Sequence, residues 1–230
     1  MNVPGSEQPC WRFREVFRAA EIDLRALPRA GIWRCRLRFT AIRLIKDEHR
    51  SMAAVLRAAE YVVGKAVSTG KTPDFNLLRA MLYYLREFPE RRHHPNEDRV
   101  LFARIKATTH EADAAIAELE DEHQRGDGML QGLAIALDNW EAGPADGRLF
   151  AGMLSGYANF YRPHMEKEET RVLPVAQDVL SNQDWREIHA VFEAHEDPMF
   201  GEDIANDFRN LFSRIIRLAP PPSGTAEPNG

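Results

Sequence analysis

Two short segments of the chain place a glutamate four residues after a histidine, His93xxxGlu97 and His164xxxGlu168. Each follows a lone histidine at a similar distance: His49 stands 44 residues before His93, and His123 stands 41 residues before His164. On an α-helix a spacing of four puts two side chains on one face, a turn apart. Each segment can therefore offer an imidazole nitrogen and a carboxylate to the same point. Together the two halves supply four imidazoles and two carboxylates. Without a thiolate, that donor set suits Fe, Mn or Zn rather than an iron–sulfur cluster. Burying two carboxylates in an apolar seam costs on the order of several kcal/mol unless a cation lies between them. The chemistry implied is a pair of metal ions held close together by bridging carboxylates.

The surrounding residues require helices. Ile42, Ile45, His49, Met52, Leu56, Ala59 and Val63 recur at alternating steps of three and four, which is the stripe a helix buries. After the turn signal STGKTP at 68–73, Leu78, Met81, Leu85 and Phe88 continue past Pro89 into His93, Glu97, Leu101 and Ile105. A third stripe begins near Thr109, runs through Ile116, Leu119, His123, Gly126, Leu130, Leu133, Leu137 and Trp140, and stops at Gly143-Pro144. A fourth, from about Ala145, carries Phe150, Met153, Tyr157, Phe160, His164, Glu168, Val172 and Val175. Four long helices with short connections predict an all-α, up-down-up-down four-helix bundle. A shorter fifth helix is expected over Asp184 to Ala194, before the turn-like Glu196-Asp197-Pro198.

The ends differ from this body. The net charge is −5, but residues 1–43 hold nine arginines against four acids, so an acidic body follows a basic arm. Phe13, Val16, Phe17, Ala20, Leu24 and Leu27 have helical spacing, which would suit a basic amphipathic helix. No nucleic-acid motif accompanies them, and the arm is read as a loosely docked extension. The division expected is a basic extension over 1–38, partly helical or disordered, then the bundle with its fifth helix over 39–200. A helical segment over 201–217 and a Pro- and Gly-rich disordered tail over 218–230 complete it. Cys10 and Cys35 are too few and too far apart for a disulfide framework or a thiolate zinc site. No run approaches the roughly 18 apolar residues of a membrane span, and no signal peptide is evident. A cytoplasmic setting, with no membrane or nucleic-acid partner, is expected.

In order along the chain, Asp47-Glu48-His49, His93-His94-Pro95-Asn96-Glu97-Asp98, Glu122-His123 and His164-Met165-Glu166-Lys167-Glu168-Glu169 resemble the hemerythrin-like (HHE cation-binding) family over about residues 41–178. The resemblance implies a four-helix bundle around a non-haem di-iron centre. His49, His93, His123 and His164 would be terminal ligands and Glu97 and Glu168 the bridges, with Mn or Zn as other occupants. Two positions depart from the oxygen carriers of the family. Where they have a second histidine four residues after the third-helix ligand, this chain has Asp127. Their last bridge is an aspartate five residues after its histidine, whereas Glu168 follows His164 by four. One imidazole fewer would leave an open or water-filled coordination position.

Other polar residues receive plainer readings. His93 and His94 compete for one role; the relation to Glu97 favours His93 and leaves His94 outside the seam. Glu48, Asp98, Glu122 and Glu169, each beside a ligand in the chain, are expected to be solvated or to back up the ligands. Asp127, between two glycines, is read as a helix-surface or bend residue, the alternative being a ligand in place of the missing histidine; His110 is a helix-start residue, and His189 and His195 are structural. Glu90xxHis93 and Glu120xxHis123 match the ExxH unit of ferritin-like bundles, but the fourth helix has the wrong order for that architecture. The function expected is binding of O2 or NO, or sensing of iron or redox state. The alternatives are a di-iron enzyme acting on peroxide, O2 or NO, and a structural-metal bundle acting as an interaction module.

Overall fold

The computed structural model describes residues 29–143 and 147–194, and among these every regular element is helical. We label them α1 (Arg29–Thr69), α2 (residues 75–108), α3 (Asp113–Ala142), α4 (residues 147–179) and α5 (Asn182–Glu193). α1 packs against α2 and α4, and α3 packs against the same two, which closes the expected up-down-up-down bundle. α5 lies along α1 and touches α2 near Glu97. α1 begins at Arg29, ahead of the Ile42 start of its apolar stripe. The arm positions Phe13 to Leu27, His195, the turn at 196–198, the 201–217 segment and the 218–230 tail lie outside the described residues.

Local chemistry sets the helix ends. Gly70, at φ +66°, takes the left-handed conformation that stops α1, which costs a residue without Cβ little. Asp74 caps α2 by accepting from the Leu77 N–H at 3.0 Å. Ser181 and Asp184 form a reciprocal capping box at the start of α5.

α2 and α4 are not uniform α-helices. α2 widens into π-helical turns over Arg86–His93 and Glu97–Phe102, and α4 does so over Glu168–Val172. Pro89 has no N–H to give and its ring crowds the preceding turn. In the widened turn the His94 N–H bonds to the Pro89 carbonyl five residues back.

The core falls into two apolar layers. One contains Met52, Leu56, Leu78, Met81, Leu130, Leu133, Phe150 and Leu154. The other contains Ile42, Ile45, Phe102, Ile116, Leu119 and Val172, and α5 completes it with Trp185, Ile188 and Phe192. Along each stripe the polar residues come between the two: His49 follows Ile45 and precedes Met52, and His123 follows Leu119 and precedes Leu130. On α4 the buried face is turned slightly from the expected stripe, so that Leu154 and Tyr161 are buried while Met153, Phe160 and Val175 sit at its margin.

Candidate metal centre

Between the two apolar layers all six expected ligands are buried: His49, His93, Glu97, His123, His164 and Glu168. Glu97 is 0% exposed and Glu168 1%. They form two groups whose ligand atoms lie within 4.8 Å of one another, His49, His93, Glu97 and Glu168 in one, and His123 and His164 with His94 in the other. Nε2 of His49 stands 3.1 Å from Nε2 of His93, and Nε2 of His123 stands 3.2 Å from Nε2 of His164. Glu168 reaches both groups, with Oε2 at 2.9 Å from His49 Nε2 and Oε1 at 2.8 Å from His164 Nε2. Glu97 Oε1 lies 3.3 Å from His93 Nε2, and its Oε2 lies 3.7 Å from His123 Nε2.

These contacts fit a cation better than they fit hydrogen bonds. All four oxygens of Glu97 and Glu168 are buried without a hydrogen bond of good geometry, although ring nitrogens stand at contact distance. Donor atoms bonded to one ion at about 2.1 Å stand about 3 Å apart. Orphaned buried carboxylates surrounded by Nε2 atoms at that separation are what a metal-binding layer requires.

Every inward-facing histidine is held from behind by a carboxylate. The Nδ1 of His49 meets Glu169 at 3.0 Å, that of His93 meets Glu48, that of His123 meets Asp98 at 2.8 Å, and that of His164 meets Glu122 at 2.9 Å. The pairing is cyclic. Glu48 on α1 braces His93 on α2, Asp98 on α2 braces His123 on α3, Glu122 on α3 braces His164 on α4, and Glu169 on α4 braces His49 on α1. Two lysines fix the outer carboxylates in turn, Lys46 at 3.0 Å from Glu169 and Lys167 at 2.8 Å from Glu122. An Nδ1–H held by a carboxylate leaves the Nε2 lone pair free to bind a metal.

Protonation preferences follow from this crowding. Burial works to lower the His49 pKa, but the contacts with Glu168 and Glu169 outweigh it and raise it to about 9. His123 is likewise raised to about 10, where burial is overcome by Asp98, Glu168 and Glu97. His93 is raised by Glu97 and Glu48 against the same desolvation. Burial would raise Glu168, yet His164, His123 and His49 hold it well below the usual carboxylate range. Glu169 is lowered to about 2, chiefly by its bond to His49 and then by Lys46. Positive charge is what this layer demands, and a metal ion can meet that demand in place of protons.

His94 corrects the expectation that it lies outside the seam. It is 2% exposed and stacks on His123, with ring centroids 4.3 Å apart and planes at 10°. Extrapolating α-helical periodicity turns His94 away from His93; the widened turn after Pro89 brings both histidines inward. Its Nδ1 lies 3.3 Å from Glu90 Oε2, and the Tyr157 and Tyr161 hydroxyls donate to Glu90 Oε1. Burial lowers the His94 pKa strongly, helped by His123, His93 and His164, and so keeps the ring neutral. Burial also raises Glu90, against the opposing effect of the two hydroxyls. Glu90 thus serves His94 and the tyrosines rather than the ferritin-like role, while Glu120 pairs with Lys106 at 2.5 Å on the surface.

Asp127 is half-buried and accepts from Gln131 at 2.6 Å. His110 is exposed and bonded to Asp113 at the start of α3. His189 pairs with Glu193 at 3.3 Å on α5. The outer carboxylates Glu48, Asp98, Glu122 and Glu169 each contact the Nδ1 of a buried histidine on a neighbouring helix. Beside His93 a hollow of about 10 Å³ is lined by Glu48, Met52, Tyr84, Phe88, Arg92 and Asn96, among others, and is about the size of one water.

Residues 40–176 match the hemerythrin HHE cation-binding domain. Uncharacterized proteins of Mycobacterium bovis and Mycobacterium tuberculosis are 28% identical to the chain over 119 residues, covering 51% of it and 46% of each relative. The chain therefore spans a little under half the length of those curated relatives. No solved structure matches it. The family match extends over every helix that contributes to the buried histidine and glutamate layer, and the chain belongs to the hemerythrin HHE cation-binding family.

Proposed function

We propose that the chain is a non-haem di-iron protein that binds a small diatomic ligand, O2 or NO, or reports iron or redox state through the same centre. The observation that supports this most directly is the convergence of four braced Nε2 atoms on two fully buried carboxylates that lack other partners. In this reading His49, His93, His123 and His164 are terminal ligands and Glu97 and Glu168 bridge. Two irons held there would supply a change between ferrous and ferric states with which O2 or NO combines. The protein's own part is positional. Its outer carboxylates fix the tautomer and tilt of each imidazole, and its two apolar layers keep bulk water from the site. A cytoplasmic setting without nucleic-acid or membrane partners belongs to the same reading; among the described residues no helix is long and apolar enough to cross a membrane.

The test is anaerobic purification after expression with iron, metal counting, and absorption spectra before and after O2 or NO, alongside His93→Ala and Glu168→Ala. About two irons per chain, with a reversible charge-transfer band lost in both variants, is the expected result. Full metal content in both variants would overturn the ligand assignment. Many turnovers with peroxide or NO would move the protein to the enzymes, and a redox-silent zinc retained until unfolding would make the metal structural.

A further inference from the structure

His94 is built like the four histidines around it. Each of those turns its Nδ1 to a carboxylate and its Nε2 inward; His94 has its Nδ1 on Glu90 at 3.3 Å, and its Nε2 is buried with no hydrogen-bond partner. A buried ring nitrogen left without a partner is destabilising unless something else satisfies it. One of the His94 nitrogens lies within 4.8 Å of ligand atoms of both His123 and His164. The support behind His94 is also specific. The Tyr157 and Tyr161 hydroxyls hold Glu90, and glycine at residue 126 leaves room for Tyr161 and Glu90: a Cβ there would stand 1.9 Å from Tyr161 Oη and 2.8 Å from Glu90 Oε1.

We infer that His94 is a third imidazole ligand for the ion held by His123 and His164, which rests on the two-metal reading above. The two ions would then differ, with two imidazoles for the ion of His49 and His93 and three for the other. Asp127, half-buried and turned to Gln131, contributes nothing there, and α2 rather than α3 supplies the additional nitrogen. With planes 10° from parallel, the rings of His94 and His123 must open like a hinge to share one ion.

The experiment uses the full chain reconstituted anaerobically with ferrous iron, in competition with a chelator, with far-UV circular dichroism as the check on folding. Wild type should hold two ions. His94→Gly should hold one with wild-type affinity and the second about 100-fold more weakly or not at all, and millimolar free imidazole should restore it. The exposed His110→Ala serves as control. A folded His94→Gly that binds two ions as wild type does overturns the inference while leaving the two-metal reading intact. A wild type that binds fewer than two ions overturns the two-metal reading itself. A second measurement needs no variant: loading wild type with cobalt(II) and counting the hyperfine-shifted, exchangeable imidazole N–H resonances. Five support ligation by His94, and four overturn it.

Discussion

The Nε2 atoms of His49 and His93 face each other across 3.1 Å, on helices whose ligand positions are 44 residues apart in the chain. Two ring nitrogens do not approach in this way for their own sake, since at most one carries a proton for the other. They do so because Glu168 and Glu97 draw both toward the same point. Charge balance in this layer is therefore shared among all its members, and removing a carboxylate leaves the imidazoles without the group that gathers them.

Glu168→Gln keeps the size of the side chain and removes its charge. Because Glu168 contacts both histidine groups, the substitution should abolish tight binding of both ions rather than one. Metal analysis after gel filtration checks this, and retention of two ions would contradict the bridging role.

Removing a brace should act on one side of the centre. Glu48→Gln loosens His93, and Glu122→Gln loosens His164, so each should weaken one ion by about 10- to 100-fold and leave the other near its wild-type affinity. Stepwise chelator titration distinguishes the two sites. Equal weakening of both ions by either variant would show that the braces do not act on single histidines.

The pH dependence has a definite sign. His49 and His123 are raised from 6.5 to about 9 and about 10, so their contribution to the stability of the metal-stripped protein is complete below about pH 6.5 and is lost as pH rises through 9 to 10. Glu169, lowered from 4.5 to about 2, contributes above about pH 4.5 and loses its contribution as pH falls through 2. Metal binding displaces protons from the imidazoles and should strengthen over the same alkaline window. The melting temperature of the stripped chain should fall from pH 6.5 to 9 while the increment given by metal grows. A stripped chain whose stability is flat across that range would contradict the assignment.

Gly126→Ala places a methyl group against Tyr161 Oη and Glu90 Oε1. A loss of about 1–3 kcal/mol is expected. Adding Tyr161→Phe should return part of it, because the closest clash is with the hydroxyl, and chemical denaturation of the four-member mutant cycle measures the coupling.

Much of this was legible in the sequence, for a physical reason. On α1, from Ile42 to Val63, burial follows a steady step of three and four, and a histidine in that stripe has nowhere to point but inward. The spacing of His93 with Glu97 and of His164 with Glu168 carried the pairing of imidazole and carboxylate through the same geometry. His94 escaped because periodicity presumes a uniform helix, and the turn that Pro89 widens is not one. The signal was present in that proline, four residues before His93. Which carboxylate braces which histidine was not legible either. Glu48 adjoins His49 in the chain but serves His93, and only the closing of the bundle decides that exchange.

The cyclic order of the braces also bears on how the site forms. Three of its links join helices consecutive in the chain, at separations of 45, 25 and 42 residues, while the fourth joins Glu169 to His49 across 120. Closing that long loop carries the largest entropic cost and brings the last helix back to the first. His49 is thus the gatepost of the enclosure: three histidines can be aligned by local hairpins, but the pen is shut only when α4 meets α1, and any force that parts those two helices reopens it there first.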